Sequence, residues 1–348
     1  MSRSSLQFML MTRRKNKNLM ILDEIRQAIQ QADRIGITAH IRPDGDAVGS
    51  VLALGLALLT SGKQVQMVLR DGVSNTFRHL QGSELVKQKF DPDCDLYIAL
   101  DSSDLLRLGG VLRDRKADIC IDHHITNENY AKINLVRPDA VATCAILADV
   151  IPQLGLIVDL PVANALLTGI LSDSIGFRTS NTTSDSLRIA ADLMDKGANI
   201  TVLYNKALIS RPFEATKYWG YALQKLEHND GLVWTTLTLE DRKNAGYPGN
   251  DDADLSNILS SIDPLDVVVL FVEQKPDLVK VSWRARPGLD ISGIAHSLGG
   301  GGHPAAAGVE CVGSLSVVTE KVLQLTAKYL ESVKEETISV QRGKPDGG

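Results

Sequence analysis

The stretch His40-Ile41-Arg42-Pro43-Asp44-Gly45-Asp46-Ala47 decides how this chain folds. Before it, Arg34-Ile35-Gly36-Ile37-Thr38-Ala39 reads as a buried strand; after it, Ala47 to Leu59 reads as an apolar helix. Pro43 and Gly45 interrupt both periodicities, so a tight loop must join strand to helix. The loop carries one imidazole and two carboxylates, the ionisable ligands that divalent cations take. The same carboxylates suit a second purpose, because Asp44 or Asp46 would satisfy the open N–H groups of the helix that follows. The loop alone leaves cap and ligand as open alternatives.

Outward from the loop, strand-like runs recur at Ile35–Ala39, Val65–Leu69, Leu96–Leu100 and Ile119–Ile121. Helix-like stretches lie between the first two and between the last two. Strands alternating with helices predict an α/β domain, a mostly parallel sheet flanked by helices on both faces. In such a sheet ligands bind beyond the carboxyl ends of the strands. His40 follows the first strand, Asp101 ends the third and Asp122-His123-His124 ends the fourth, so topology aims all of them at one edge. Helical spacing then takes over at Ala142–Leu154, Val162–Leu171 and Ser184–Lys196, with Gly197 as a stop. Asp173 lies just past the apolar run Leu166–Leu171, as either a satisfied polar anchor or an inward-facing ligand.

Ser210-Arg211-Pro212 breaks the pattern, and a smaller α/β domain follows. It reads as a helix over Phe213–His228, strands at Leu232–Leu239, Val267–Val272 and Leu278–Arg284, and helices at Asp254–Ser261, Ile291–Leu298 and Val317–Val333. The segment Gly299-Gly300-Gly301-Gly302-His303-Pro304 lies between the last two helices. Glycines let backbone N–H groups approach an anion closely, and His303 can donate to the same oxygens. Arg284 and Arg286 on the neighbouring strand offer planar forks that match phosphate. The plain structural alternative is a flexible hairpin beside a solvated strand face. Phosphate binding by Arg284, Arg286, Gly301, Gly302 and His303 accounts for more of the pattern.

The 348 residues suffice for two domains. A net charge of −5 argues against coating long duplex nucleic acid, although a local cation cluster would still hold a small anion. Aromatic residues make up only 5%, too few for a long stacking track on single strands. Cys94, Cys120, Cys144 and Cys311 lack the paired spacing of zinc sites and read as free thiols of a reducing compartment. Residues 1–18 hold Arg3, Arg13, Arg14, Lys15 and Lys17 without an acid and read as a flexible arm. No apolar run approaches spanning length, so a cytoplasmic protein with no membrane contact is expected.

The loop HIRPDGDA, the strand end ALDSSD, the sequence IDHH and the segment GILSDSIGFR stand in the order of the DHH-family phosphoesterases, which this chain resembles. SWRARPGLDISGIAHSLGGGGHPAAAG resembles that family's associated C-terminal domain, and length and glycine-histidine module are similar to the branch of nanoRNases and 3′-phosphoadenosine-5′-phosphate (pAp) phosphatases. The resemblance covers about residues 19–333. It implies a catalytic domain over 19–197, a linker over 198–212, a substrate-binding domain over 213–334 and a loose tail over 335–348, with the active site in the interdomain cleft. It implies two divalent ions, most simply manganese: His40, Asp44 and Asp101 would hold one, and Asp46, Asp101, His123 and Asp173 the other. Asp101 would bridge them as a catalytic residue, His124 would face the substrate phosphate and Asp122 would orient the histidines. Arg284, the glycine loop and His303 would contact a short single-stranded RNA or a nucleotide, and a homodimer is favoured. Ser174 stands where the family commonly has threonine, and Pro304 where it has a basic residue. A cyclic- or linear-dinucleotide phosphodiesterase of the same family is the alternative enzyme, and a catalytically silent nucleotide-binding protein the alternative outside enzymes.

Overall fold

The structure is a computed structural model that describes residues 19–342, with side chains for residues 19–335. The arm expected over residues 1–18 and the tail residues 343–348 lie outside the described part. The chain divides into two units, the first ending at Ser210 and the second starting at Arg211.

In the first unit α1 (residues 19–31) leads into β1 (Arg34–Thr38), α2 (Gly45–Thr60), β2 (Gln64–Val68), β3 (Leu96–Leu100), β4 (Ile119–Asp122) and β5 (Ile133–Val136). The helices α3 (Thr143–Gln153), α4 (Leu160–Asp173), α5 (Ser184–Asp195) and α6 (Ile200–Tyr204) follow. The strands lie in the order β2-β1-β3-β4-β5 and pair in parallel. From β1 the chain crosses to one side and later returns on the other, and this reversal opens a crevice beyond the ends of β1 and β3. His40 leaves β1 and Asp101 leaves β3 at that crevice.

The two faces of the sheet are closed differently. Ile35, Ile37, Ile98, Ile119 and Ile121 turn to a core shared with α1 to α4, where Leu52, Leu58, Leu166 and Ile170 are fully buried. On the other face Val68, Tyr97 and Ala99 pack against Phe90, Cys94, Leu108 and Leu112, with Phe90 and Tyr97 meeting edge to face. The helix expected between β3 and β4 is therefore absent. Leu105, Leu108 and Leu112 have helical spacing, but Gly109 and Gly110 take φ of +66° and +74° and end the segment after one 3₁₀ turn, Leu106–Leu108. Strand β5, which carries little alternation, was not expected. Within the stretch read as a linker, α6 and a π-turn at Asn205–Ile209 bury Leu203 and Ala207 in the first core.

The second unit comprises α7 (Phe213–Leu223), β6 (Glu227–Asn229), β7 (Leu232–Leu237), α8 (Leu239–Ala245), α9 (Leu255–Leu259), β8 (Val267–Lys275), β9 (Leu278–Ala285), α10 (Ser292–Ser297), β10 (Gly301–His303), β11 (Ala306–Val312) and α11 (Leu315–Arg342). Its sheet runs β10-β11-β9-β8-β7-β6, antiparallel except for the β7–β8 pair. Val267, Val269, Phe271 and Trp283 face α10 and α11, while Val268, Leu270 and Val272 face Tyr218, Leu255 and Leu259. The helix expected to reach His228 stops at Leu223, because Glu227–Asn229 form the edge strand β6. Within the glycine stretch Gly301–His303 form a strand and not a loop, since they pair with β11. Helix α11 continues to Arg342, into the stretch read as a loose tail.

Candidate metal centre

Asp44 serves both purposes that its sequence position left open. Its Oδ1 accepts the N–H groups of Asp46 and Ala47, each at 3.0 Å, and so caps α2. Its Oδ2 lies 3.7 Å from His40 Nε2. The same His40 nitrogen is 3.5 Å from Asp101 Oδ2, while Asp101 Oδ1 is 3.7 Å from His123 Nε2. His123 Nε2 is in turn 3.5 Å from Asp173 Oδ2. Asp101 is 2% exposed and holds a φ of +51°, a left-handed turn that lifts its carboxylate off the end of β3 into the crevice.

Asp46 is held from another element. Thr143 N–H donates to its Oδ2 at 2.6 Å and Cys144 N–H to its Oδ1 at 2.8 Å, so the carboxylate closes the N-terminus of α3, whose own cap residue, Ala142, has no side-chain acceptor. A Cβ on Gly169 of α4 would stand 2.2 Å from Cys144 Sγ and 2.9 Å from Asp46 Oδ1, so glycine there leaves room for the start of α3 and for the carboxylate it binds. Asp173 ends α4, and the chain then turns sharply: Ile175, Gly176 and Phe177 have φ of +48°, +67° and +67°. Ser174 Oγ braces that turn, donating to Ile170 O at 2.6 Å and accepting Phe177 N–H at 2.9 Å. Left-handed backbone at two bulky residues is costly, and its position beside Asp173 ties that strain to the centre.

The structure thus brings His40, Asp44, Asp46, Asp101, His123 and Asp173 together. Three sets, His40–Asp44–Asp101, Asp46–His123–Asp173 and Asp101–His123–His124, each have ligand atoms within 4.8 Å of one another. The separations of 3.5–3.7 Å between these nitrogens and oxygens exceed ordinary hydrogen bonds; the groups face a shared space rather than each other. The electrostatics agree. Burial, then the charges of Asp101, Asp173 and Asp44, push Asp46 well above the usual carboxylate range. Burial raises Asp173 to about 7, helped by the charges of Asp101 and Asp44 and opposed by those of His123 and His124. Burial works against the His40 cation, yet Asp101 and Asp44 hold its pKa up at about 10. Desolvation likewise opposes the Asp44 charge, but His40 and the capped N–H groups draw its pKa down to about 2. Crowded acids that retain protons, with hard nitrogen and oxygen donors converging on one space, fit divalent metal ions.

Asp122 stands behind the centre, fully buried. Its Oδ1 accepts His123 N–H at 2.9 Å and meets His124 Nδ1 at 2.7 Å; its Oδ2 accepts Asn127 Nδ2 at 2.6 Å. His124 Nδ1 is also 3.8 Å from Asp101 Oδ1. Asn127 and Thr143, whose hydroxyl donates to Asp101 Oδ1 at 3.0 Å, were not singled out from the sequence, where a lone Asn in a loop and a Thr opening a helix carry no distinguishing signal. Asp122→Asn is expected to lower kcat by about 10–100-fold while the circular-dichroism spectrum is unchanged, because carboxylates behind metal-ligating histidines set their orientation. Unaltered kcat would mean that backbone geometry alone aligns His123 and His124.

In the second unit, register aligns Arg284 of β9, Ala306 of β11 and His303 of β10, so the two basic side chains share one face of the sheet. Two rungs along on the same face lie Ser282, Gly308 and Gly301. Arg284 Nε and Nη2 each lie 3.3 Å from Asn257 Oδ1, and Nη1 donates to Trp283 O at 2.9 Å. Arg286 is not with them: it is paired with Asp266. The hairpin explains Gly300 and Gly302, where a Cβ would come within 2.3 Å and 2.4 Å of the carbonyl oxygens of Gly308 and Ala306. It does not explain Gly301, where a Cβ would meet nothing within 4 Å.

Fold and centre together define a class. The chain belongs to the DHH family: the family's N-terminal domain matches residues 34–170 and the DHHA1 domain matches residues 239–335. Within that class the chain is 34% identical over 327 residues to the bifunctional oligoribonuclease and PAP phosphatase NrnA of Thermus thermophilus, spanning 92% of this chain and 94% of that protein. The protein of the same name from Bacillus subtilis is 24% identical, spanning 82% and 91%. Among solved structures, an exopolyphosphatase-related protein from Bacteroides fragilis superposes with a TM-score of 0.82 at 23% identity, covering 91% of this chain and 97% of that one. RecJ of Thermus thermophilus in complex with Mn2+ has the same fold at a TM-score of 0.53 and 13% identity, covering 90% of this chain and 54% of its own. No helix among the described residues is long and apolar enough to cross a membrane.

Proposed function

We propose that this chain is a two-metal phosphoesterase that hydrolyses short oligoribonucleotides and pAp. The observation that carries the reading is Asp101, whose two oxygens face His40 on one side and His123 on the other. Identity of 34% to the Thermus thermophilus enzyme across nearly the whole length of both chains supports the substrate class. A net charge of −5 supports short substrates over long duplexes.

In this reading His40, Asp44 and Asp101 hold one ion and Asp46, Asp101, His123 and Asp173 the other, with manganese suited to mixed imidazole and carboxylate donors. A bound divalent pair supplies Lewis-acid polarisation of the phosphoryl oxygens and acidifies water. The side chains do the rest. His124, its Nδ1 committed to Asp122, presents Nε2 to a phosphate oxygen; burial disfavours the cation, but Asp122 and Asp101 raise the ring's pKa, which favours a donating proton. Arg284 and His303 bind the phosphate or terminal nucleotide, and bare backbone at Gly301 lets it come close.

The direct test is a product time course with manganese on diribonucleotide, pentaribonucleotide, pAp and a cyclic dinucleotide. Turnover of the linear oligonucleotides and pAp supports the reading; exclusive turnover of the cyclic dinucleotide moves the chain to the alternative enzyme. Binding without turnover of any of them would leave a nucleotide-binding protein. Arg284→Ala and His303→Ala should each raise KM by about 10–100-fold, the worth of a charge-assisted hydrogen bond, with metal content unchanged. Gly301→Val should raise KM at unaltered Tm, since no protein atom stands in its way. Unchanged KM in all three would assign the glycine strand to architecture alone.

A further inference from the structure

Resting on the two-ion reading, we infer that Thr143 is a positioning residue for one of the two ions only, the one held by Asp46, His123 and Asp173. Thr143 is fully buried and makes two separate contacts, one with Asp46 of that set and one with the Asp101 carboxylate shared by both sets. Its backbone N–H holds Asp46 Oδ2 at 2.6 Å, and its hydroxyl donates to Asp101 Oδ1 at 3.0 Å. Asp101 Oδ1 is the oxygen on the His123 side, at 3.7 Å, whereas Oδ2 is on the His40 side, at 3.5 Å. No hydrogen bond of Thr143 reaches His40 or Asp44.

The last torsion of an aspartate is broad and roughly two-fold, so a bridging carboxylate does not by itself keep one oxygen for each ion. The Thr143 hydroxyl removes that freedom. It pins Oδ1 beside His123 and leaves Oδ2 to His40. One residue at the start of α3 thereby aligns a ligand from the start of α2 and another from the end of β3. Without the hydroxyl, Asp101 turns toward the His40–Asp44 set, and the His123 position loses its share of the bridge.

Calorimetric titration of the metal-stripped full-length protein with Mn2+ tests this. Thr143→Val keeps the branched shape and the backbone N–H and replaces the hydroxyl by a methyl group; it should bind one ion with wild-type affinity and the other about 10–100-fold more weakly. Thr143→Ala, a second hydroxyl-free variant, should do the same, and Thr143→Ser should titrate like the wild type. Adding Asp44→Asn to Thr143→Val should remove the remaining tight ion, whereas adding Asp173→Asn should spare it. Two ions bound with wild-type affinity by both hydroxyl-free variants, or equal weakening of both ions, would overturn the inference. A wild-type protein that takes up fewer than two ions would instead overturn the two-ion reading.

Discussion

Asp101→Ala is expected to abolish hydrolysis, a fall in kcat of at least about 10³-fold, or about 4 kcal/mol of transition-state stabilisation. Each of the other five candidate ligands belongs to one side of the centre. Asp101 belongs to both, with Oδ2 3.5 Å from His40 and Oδ1 3.7 Å from His123. On the two-ion reading, its loss would remove a negative charge from between the cations and a ligand from each. The stabilising effect of Mn2+ on thermal unfolding should vanish with the activity, because a ligand that binds only the native state stabilises it by RT ln(1 + L/Kd), where L is the free ligand concentration, and this falls to zero when Kd far exceeds L. Near-native turnover of the variant with manganese present would sink the two-metal reading.

Metal affinity should fall steeply with acidification, because binding has to expel protons that the folded centre holds. His40, raised to about 10, carries a proton throughout the neutral range, and Asp173, raised to about 7, takes up another as pH falls below neutrality. His40 weakens affinity about tenfold per pH unit and Asp173, half protonated at pH 7, about fivefold, so between pH 7 and pH 6 the loss should reach about 50-fold. Calorimetry of Mn2+ binding in buffers of different ionisation enthalpy counts the protons released; a count of zero would contradict the arrangement.

The same shifts set the stability of the metal-free protein. For His40 the folded pKa lies above the unfolded one, so its contribution is fully present below about 6.5 and is lost as pH rises toward 10. Asp173 also binds its proton more tightly when folded, so metal-free stability declines as pH rises from about 4 to 7. The Tm gain on adding Mn2+ should therefore be larger at pH 8 than at pH 6.

Much of the fold was legible where the chain alternates. The strand before His40, the helix after Gly45 and the strand ends at Asp101 and Asp122 follow from apolar runs bounded by Pro, Gly and Asp. The edge strands β5, β6 and β10 were not, because a short edge strand needs only one partner and carries little alternation of its own. Leu105, Leu108 and Leu112 misled in the opposite sense, their helical spacing cancelled by the backbone of Gly109 and Gly110.

The site divides the same way. The residue types of the centre and their order along the chain are set by the sequence, since ligand chemistry is a property of side chains and strand ends in a parallel sheet point one way. What only tertiary structure decided is which atom does what. Asp44 divides its two oxygens between a helix cap and His40, and Asp46 closes a helix that starts 97 residues further on. Thr143 takes one oxygen of Asp101, from a position 42 residues away. Arg286, expected to act beside Arg284, pairs with Asp266 instead. Hydrogen bonds are directional and short, so assigning each oxygen needs distances that only the packing of α2, α3 and α4 on the sheet supplies.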